Sequence, residues 1–319
     1  MPRSSPVIAV EDIAHVRYQA PDLDRMESFL LDFGLSRARR TPDTLHMRGQ
    51  GEAPHAHITH LGATAATLGF GLRAQSEADL HTLARHLGLQ VQANDEPGGG
   101  SVVRLQDPAG LRVDVLHGQA PWAAAVAVRR PFVGNNIERR ERVGKVLRQA
   151  PGPSNVMRLG HVVLLVPDFA AALTFYTEVL GLRVSDTYHG PDPSAPVFAF
   201  LHCGLGPRWT DHHTVALGTP PGGIERGRFD HIAFEVVDLD DLMAGHVHLR
   251  ERGWKHSWGV GRHVEGSQIF DYWRDPFGHK VEHWTDGDRV NHTHVPSHGP
   301  MRPEGLSQWA PPFNPEFFE

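Results

Sequence analysis

Leu159-Gly160-His161-Val162-Val163-Leu164-Leu165-Val166-Pro167-Asp168-Phe169 leads into a helical stretch that closes on Leu180-Gly181-Leu182. The same wording stands earlier in the chain as Ile13-Ala14-His15-Val16-Arg17-Tyr18-Gln19-Ala20-Pro21-Asp22-Leu23, closing on Phe33-Gly34-Leu35. Each copy opens on an apolar run that reads as a strand and turns at Pro-Asp. Each then continues with apolar residues near one helical face, as in Phe169, Leu173, Tyr176 and Leu180. Asp22 and Asp168 stand where a side chain caps the first turn of a helix.

A second unit follows each copy. Leu68-Gly69-Phe70-Gly71-Leu72 leads to Asp79-Leu80, and Phe229-Asp230-His231-Ile232-Ala233-Phe234-Glu235-Val236 leads to Asp241-Leu242. Both units end in matched wording, Asp107-Pro108-Ala109-Gly110 before Leu111 to Asp114, and Asp275-Pro276-Phe277-Gly278 before His279 to Glu282. An Asp-Pro-x-Gly turn joins two short strands. The chain therefore reads as four strand-helix-strands units paired into two domains, an α+β architecture with one domain over residues 8–118 and another over 157–286. Residues 119–156, with Arg129-Arg130, Arg139-Arg140-Glu141-Arg142 and Pro151-Gly152-Pro153, read as a linker carrying one polar helix. The tail, 287–319, is rich in Pro, His and Asn and cannot build a core alone; its closing aromatics are expected to lie on the body or on a neighbouring subunit.

Composition agrees and excludes several classes. The 319 residues carry 21% charged side chains, 15 Phe, 7 Trp and a net charge of −6, the profile of an ordinary globular chain of about two domains. An acidic balance argues against nucleic acid as a partner, since binders of phosphate backbones gather Lys and Arg on one face. No run approaches the ~20 apolar residues that span a bilayer. Glu11 and Asp12 interrupt the start of the chain where a signal peptide needs apolar residues, and the single Cys203 forms no disulfide within the chain, so a reducing cytoplasm is expected.

Among 23 His, His161 and His231 fall at comparable points on different strands, and Glu282 falls on a third. They are separated by 70 and 51 residues, so only a fold that sets these strands side by side brings them together. Two imidazoles and one carboxylate on one face of an octahedral ion leave adjacent positions open, the arrangement of non-heme Fe(II) oxygenases. Taken singly, each is also an ordinary hydrogen-bonded strand residue. Their counterparts in the first domain are His15, Gly69 and Asp114, and glycine offers no ligand. One half of the duplication keeps the donor set and the other keeps the fold.

The contexts Gly160-His161-Val162-Val163, Asp230-His231-Ile232-Ala233-Phe234-Glu235 and Gly278-His279-Lys280-Val281-Glu282 resemble the type I extradiol ring-cleavage dioxygenases of the vicinal oxygen chelate superfamily, over residues 12 to 286. The resemblance implies paired βαβββ modules and Fe(II), with Mn(II) as the alternative, held by His161, His231 and Glu282. The implied activity is meta cleavage of a catechol by O2 to a ring-opened semialdehyde-type product. It also implies that His213, in Asp211-His212-His213, handles the proton close to O2. His263 and Tyr272 would flank the substrate hydroxyls, with Val163, Phe200 and His212 around the substrate and O2. Homo-oligomers are common in the family. Two departures bear on the pocket: the eight residues from Gly204 to Asp211, longer than in several family members, and Glu265 where some relatives carry an amide. The same fold also serves metal-dependent isomerases of the glyoxalase type and proteins that bind aromatic molecules, but an isomerase has no need of His213, His263 and Tyr272 together. Neutral catechols are slightly preferred, since no Arg pair is assigned as a carboxylate clamp, Arg262 and Arg274 being merely nearby in the chain.

Overall fold

Both Pro-Asp turns start helices as their chemistry requires. The Asp22 carboxylate accepts the Arg25 N–H ahead of the Leu23–Asp32 helix, and Asp168 accepts Ala171 N–H ahead of Phe169–Thr174. The latter helix widens to π geometry over Phe175–Val179, while Glu77–Leu87 and Leu239–Glu251 complete a set of four, one behind the first strand of each module. The Asp-Pro-x-Gly turns close as expected: Asp107 accepts the Ala109 and Leu111 amides, and Asp275 those of Phe277 and His279. Gly110 and Gly278 take the left-handed φ, 82° and 95°, that an L side chain disfavours.

The computed structural model describes residues 5–122, 128, 130–313 and 315–318. Met1–Ser4 and Arg129 of the expected linker lie outside them. The described residues form two mixed sheets, one of 8 strands between Val10 and His117 and one of 10 strands between Val156 and Trp309, and a two-stranded antiparallel pair of Thr210–Asp211 with Arg289–Val290. In each sheet the first strands of two modules pair antiparallel at the centre: Val10–Ala20 with Ala66–Ala74, and Val156–Leu165 with Arg228–Val236. The strand after each Asp-Pro turn lies parallel to the second of these, so Arg112–His117 flanks Ala66–Ala74 and Lys280–Thr285 flanks Arg228–Val236. This is the α+β arrangement of four modules that the repeat predicts.

The two halves are stitched by buried polar contacts. The Tyr176 hydroxyl donates to Asp107 at 2.7 Å, and His283 donates through Nε2 to the Phe33 carbonyl at 2.7 Å while its ring stacks on Phe33. Bonds of this kind are worth about 1 kcal/mol each, and leaving a buried partner unsatisfied costs more.

Two expectations change. Among the described residues from 119 to 155 no helix forms; Gly134, Asn135, Asn136, Gly144 and Pro151 punctuate the segment too often for helical hydrogen bonding to propagate. The tail does not merely lie on the body. Ser297–Pro300 adds a parallel strand beside Leu182–His189, and Ser307–Trp309 an antiparallel one beside Lys255–His263, so the tail covers both outer edges of the second sheet.

Candidate metal and substrate site

Strand register brings the three separated donors together. Ala233 lies opposite His161 across one strand pair and opposite Glu282 across the next, and His231 stands two residues ahead of Ala233 on the same face. His161 Nε2 is 3.4 Å and His231 Nε2 3.3 Å from Glu282 Oε2. Glu282 is fully buried, and neither of its oxygens has a hydrogen-bond partner among the described residues. A carboxylate withdrawn from water and facing two imidazole nitrogens calls for a cation. Burial alone would raise the Glu282 carboxyl, yet the two imidazoles outweigh it and hold the group below the ordinary carboxylate range.

His231 is oriented from behind. Its Nδ1 donates to Asp230 at 2.8 Å, and Lys280 in turn reaches Asp230 at 2.9 Å, which leaves Nε2 facing Glu282. A carboxylate that fixes the tautomer of a ligating histidine is a recurrent support of metal sites. Sequence reading did not mark Asp230 or Lys280 for this role, although both sit within the wording that identified the strands.

A cavity of about 280 Å³ opens on this group. His161, His231, His213, His263 and Tyr272 line it, with Val163, Leu165, Tyr188, Phe198 and Phe200 forming an apolar wall, and Met301 and Leu306 contributed by the tail. His263 Nδ1 donates to the Leu306 carbonyl at 2.8 Å, and its Nε2 is 3.0 Å from the Tyr272 hydroxyl. His213 packs against His161, with ring centroids 4.1 Å apart, and against Phe200. Burial, followed by the surrounding imidazoles, keeps the His213 ring well below the usual histidine range and hence neutral.

His212 departs from expectation: it is not on the cavity wall. The two histidines lie in the short connection between the strands Thr210–Asp211 and Val215–Gly218, and only His213 is turned to the cavity. His212 Nε2 donates to Asp186 at 2.6 Å, and its Nδ1 lies 3.1 Å from His213 Nδ1. His213 being neutral, a proton on its Nδ1 given to His212 leaves His213 Nε2 to face the cavity. Asp186 was not singled out in the sequence, because only the pairing of its strand brings it behind His212.

The Gly204–Asp211 stretch also stays off the cavity wall, with Trp209 exposed, whereas Glu265 lines it. Arg262 is engaged by the Ser267 carbonyl and Asp286, and Arg274 by the Gly278 and Glu316 carbonyls; neither lines the cavity.

Paired βαβββ modules with a buried two-His, one-Glu cluster beside an aromatic cavity define a glyoxalase-fold protein suited to metal-dependent chemistry. The family model "Glyoxalase/Bleomycin resistance protein/Dioxygenase superfamily" matches residues 158–283. The chain is 32% identical to metapyrocatechase 2 of Cupriavidus necator, over 99% of this chain and 94% of that one. It is 26% identical to an iron-dependent extradiol dioxygenase of Rhodococcus jostii, over 89% and 91%. Its fold matches the Mn(II)-bound glyoxalase of Novosphingobium aromaticivorans with TM-score 0.77 and 25% identity, over 98% and 95% of the two chains. The chain belongs to the extradiol dioxygenases of the glyoxalase/vicinal oxygen chelate superfamily, and is an enzyme of that class.

Proposed function

We propose that the chain cleaves a catechol ring next to its diol with O2, at an Fe(II) ion held by His161, His231 and Glu282, to give a ring-opened semialdehyde-type product. The buried, unpartnered oxygens of Glu282 between two imidazoles carry this reading. Two neutral imidazoles and a carboxylate suit Fe(II) or Mn(II), and the relative named as iron-dependent favours iron. A redox-active ion in that place supplies the electron path between a singlet catechol and triplet dioxygen, which zinc cannot do.

The protein's own share is positioning and proton traffic. His263 and Tyr272 would hold the two substrate hydroxyls, Tyr272 with its O–H given to His263 Nε2 and its lone pairs turned to the substrate. His213 Nε2 would take the proton released when the diol binds and return it as the O–O bond breaks. The positive charge so created would be shared through His212 with Asp186. Val163 and Phe200 would keep water from the reacting face. The chemistry would lie in the second domain, residues 157–286, and the first, 8–118, would contribute fold.

The apolar wall, the pairing of Lys280 with Asp230 and the carboxylate of Glu265 favour a neutral catechol, with Arg228 left as a cation on the lining. A cytoplasmic homo-oligomer fits the lone buried Cys203 and the habit of the family.

Anaerobic reconstitution with Fe(II), followed by catechols in air, tests this. O2 uptake with a new yellow chromophore, abolished in His161→Ala and Glu282→Ala, is expected. Tight metal binding with no uptake for any diol would move the reading to an isomerase. Ligand affinity that survives chelation would move it to an aromatic-binding protein.

A further inference from the structure

The first sheet repeats the register of the second around the same central strand pair. His15 pairs with Gly71 and Arg17 with Gly69, as His161 pairs with Ala233 and Val163 with His231. Gly71 pairs onward with Asp114 as Ala233 does with Glu282. Val16 N–H bonds the Ala56 carbonyl as Val162 N–H bonds that of Thr214. His15 thus answers to His161, Asp114 to Glu282, Gly69 to His231, His55 to His213 and Arg17 to Val163. The stacking is kept too, with His15 and His55 ring centroids 5.1 Å apart.

The missing imidazole cannot simply be restored. A Cβ on Gly69 would lie 2.0 Å from the Arg112 carbonyl oxygen. Arg17, whose counterpart Val163 lines the cavity of the second half, carries its side chain into the donor cluster and is 2% exposed. One guanidinium nitrogen lies 2.8 Å from Asp114, 2.7 Å from Glu96 and 3.3 Å from His15 Nε2, and the other lies 2.9 Å from His60 Nε2. Two carboxylates and two imidazoles therefore surround one positive group, and Arg112 covers the remaining side of Asp114. The contrast with Glu282, whose oxygens have no such donor, is direct.

We propose that Arg17 is the resident cation of the first half: its guanidinium stands in the place of a divalent metal and closes a latent site made of His15, Asp114 and Glu96, with His55 and His60 beside them. His15, His55 and Glu96 already bring ligand atoms within 4.8 Å of one another, and His55 Nε2 is buried without a hydrogen-bond partner among the described residues, 3.5 Å from Glu96 Oε2. What keeps a metal out is charge. A guanidinium never deprotonates in a protein, so a divalent ion would have to enter against a fixed, fully desolvated positive group. With a neutral residue at 17, Asp114 would keep Arg112 while Glu96 would lose its guanidinium, and the imidazole and carboxylate donors would suit a borderline transition ion such as Co(II) or Zn(II).

This inference stands apart from the dioxygenase reading, and its test needs no turnover. The full chain, stripped by chelation, is titrated anaerobically with Co(II), and bound metal and visible absorption are recorded. The wild type is expected to saturate at one equivalent, lost in His161→Ala and unchanged in His15→Ala. Arg17→Val is expected to take a second equivalent, and Arg17→Val with Asp114→Asn to lose it. Where Arg17→Val fails to fold without metal, Co(II) present during refolding rescues it if the inference holds and leaves it unfolded if it does not. Two equivalents in the wild type with one lost in His55→Ala, or a folded Arg17→Val chain that still takes only one, would overturn the inference. If the second-half site binds nothing, the wild type takes no metal while Arg17→Val takes one, so the two failures are distinguishable.

Discussion

The Tyr272 hydroxyl lies 3.0 Å from His263 Nε2, in a ring whose other nitrogen is committed to the Leu306 carbonyl. That commitment makes Nε2 the acceptor and Tyr272 the donor, so the phenol oxygen turns its lone pairs toward the cavity. Tyr272→Phe removes the hydroxyl while the ring keeps its packing against Trp258 and Phe270. Its kcat/KM for a catechol is expected to fall about 10²-fold with bound iron unchanged. Steady-state kinetics beside a metal assay check both halves, and loss of iron would refute the placement of Tyr272 outside the donor set.

Asp186 reaches the cavity through two imidazoles and also faces Glu265 on its wall. Its carboxylate fixes His212 Nε2 as donor, and His212 Nδ1 in turn sets the tautomer of His213. Asp186→Asn leaves shape intact but lets the amide present either a donor or an acceptor to His212, so the order of protons along the chain is no longer imposed. We expect kcat to drop at least tenfold, an order of magnitude anchored in base-orienter pairs generally, with iron content retained and activity partly restored in Asp186→Glu. An unchanged kcat would show that His213 is oriented by packing on His161 and Phe200 alone.

Glu282 predicts a stability change that metal enlarges. In the metal-free chain two imidazole nitrogens, at 3.4 and 3.3 Å, outweigh the burial of the carboxylate and hold it below the ordinary range, so Glu282→Gln, which removes the charge at constant shape, should destabilise the apo form by about 1–3 kcal/mol. The same substitution should abolish the rise in unfolding midpoint that Fe(II) or Co(II) gives the wild type, since an ion bound only by the folded state stabilises it by mass action. Urea titrations with and without metal would show the gap between the two proteins widen when metal is added. An apo variant as stable as apo wild type would mean that the imidazoles do not offset the burial of the charge.

The fold was legible because its signals are local and repeated: the Pro-Asp caps of Asp22 and Asp168 and the Asp107 and Asp275 turns each act within five residues. His161, His231 and Glu282 were legible because the duplication supplied an internal control, Gly69, where one donor is missing. The structure brings all three within 4.8 Å. What escaped reading depends on pairing between distant strands. Asp186 lies 26 residues from His212 in the chain, and Arg17 meets Glu96 across 79 residues. The connection between Thr210–Asp211 and Val215–Gly218 decides whether His212 or His213 faces the cavity, and a doublet of identical residues carries no mark of it. The edge strand Ser297–Pro300 contains Gly and Pro and lacks alternation, so nothing local announced it.

His57 predicts acid lability on the first half. It is 1% exposed, stacks on Tyr18 and accepts from the Thr59 hydroxyl, and burial lowers its pKa to about 3. His202, buried in the second sheet, is lowered to about 4. In the unfolded chain both take a proton near pH 6.5. The folded values lie below the unfolded ones, so the unfolded state binds more protons as pH falls. The contribution of these residues to stability is therefore complete above pH 6.5 and declines from there down toward the folded values. The slope is bounded at about 1.4 kcal/mol per pH unit for each group. His57→Phe keeps a ring against Tyr18 and removes the titration. Urea unfolding of the apo chain between pH 7.5 and 4.5 should show a loss of stability that is shallower by about one proton in the variant. Parallel pH dependences for the two proteins would mean that His57 charges in the folded state as readily as in the unfolded one.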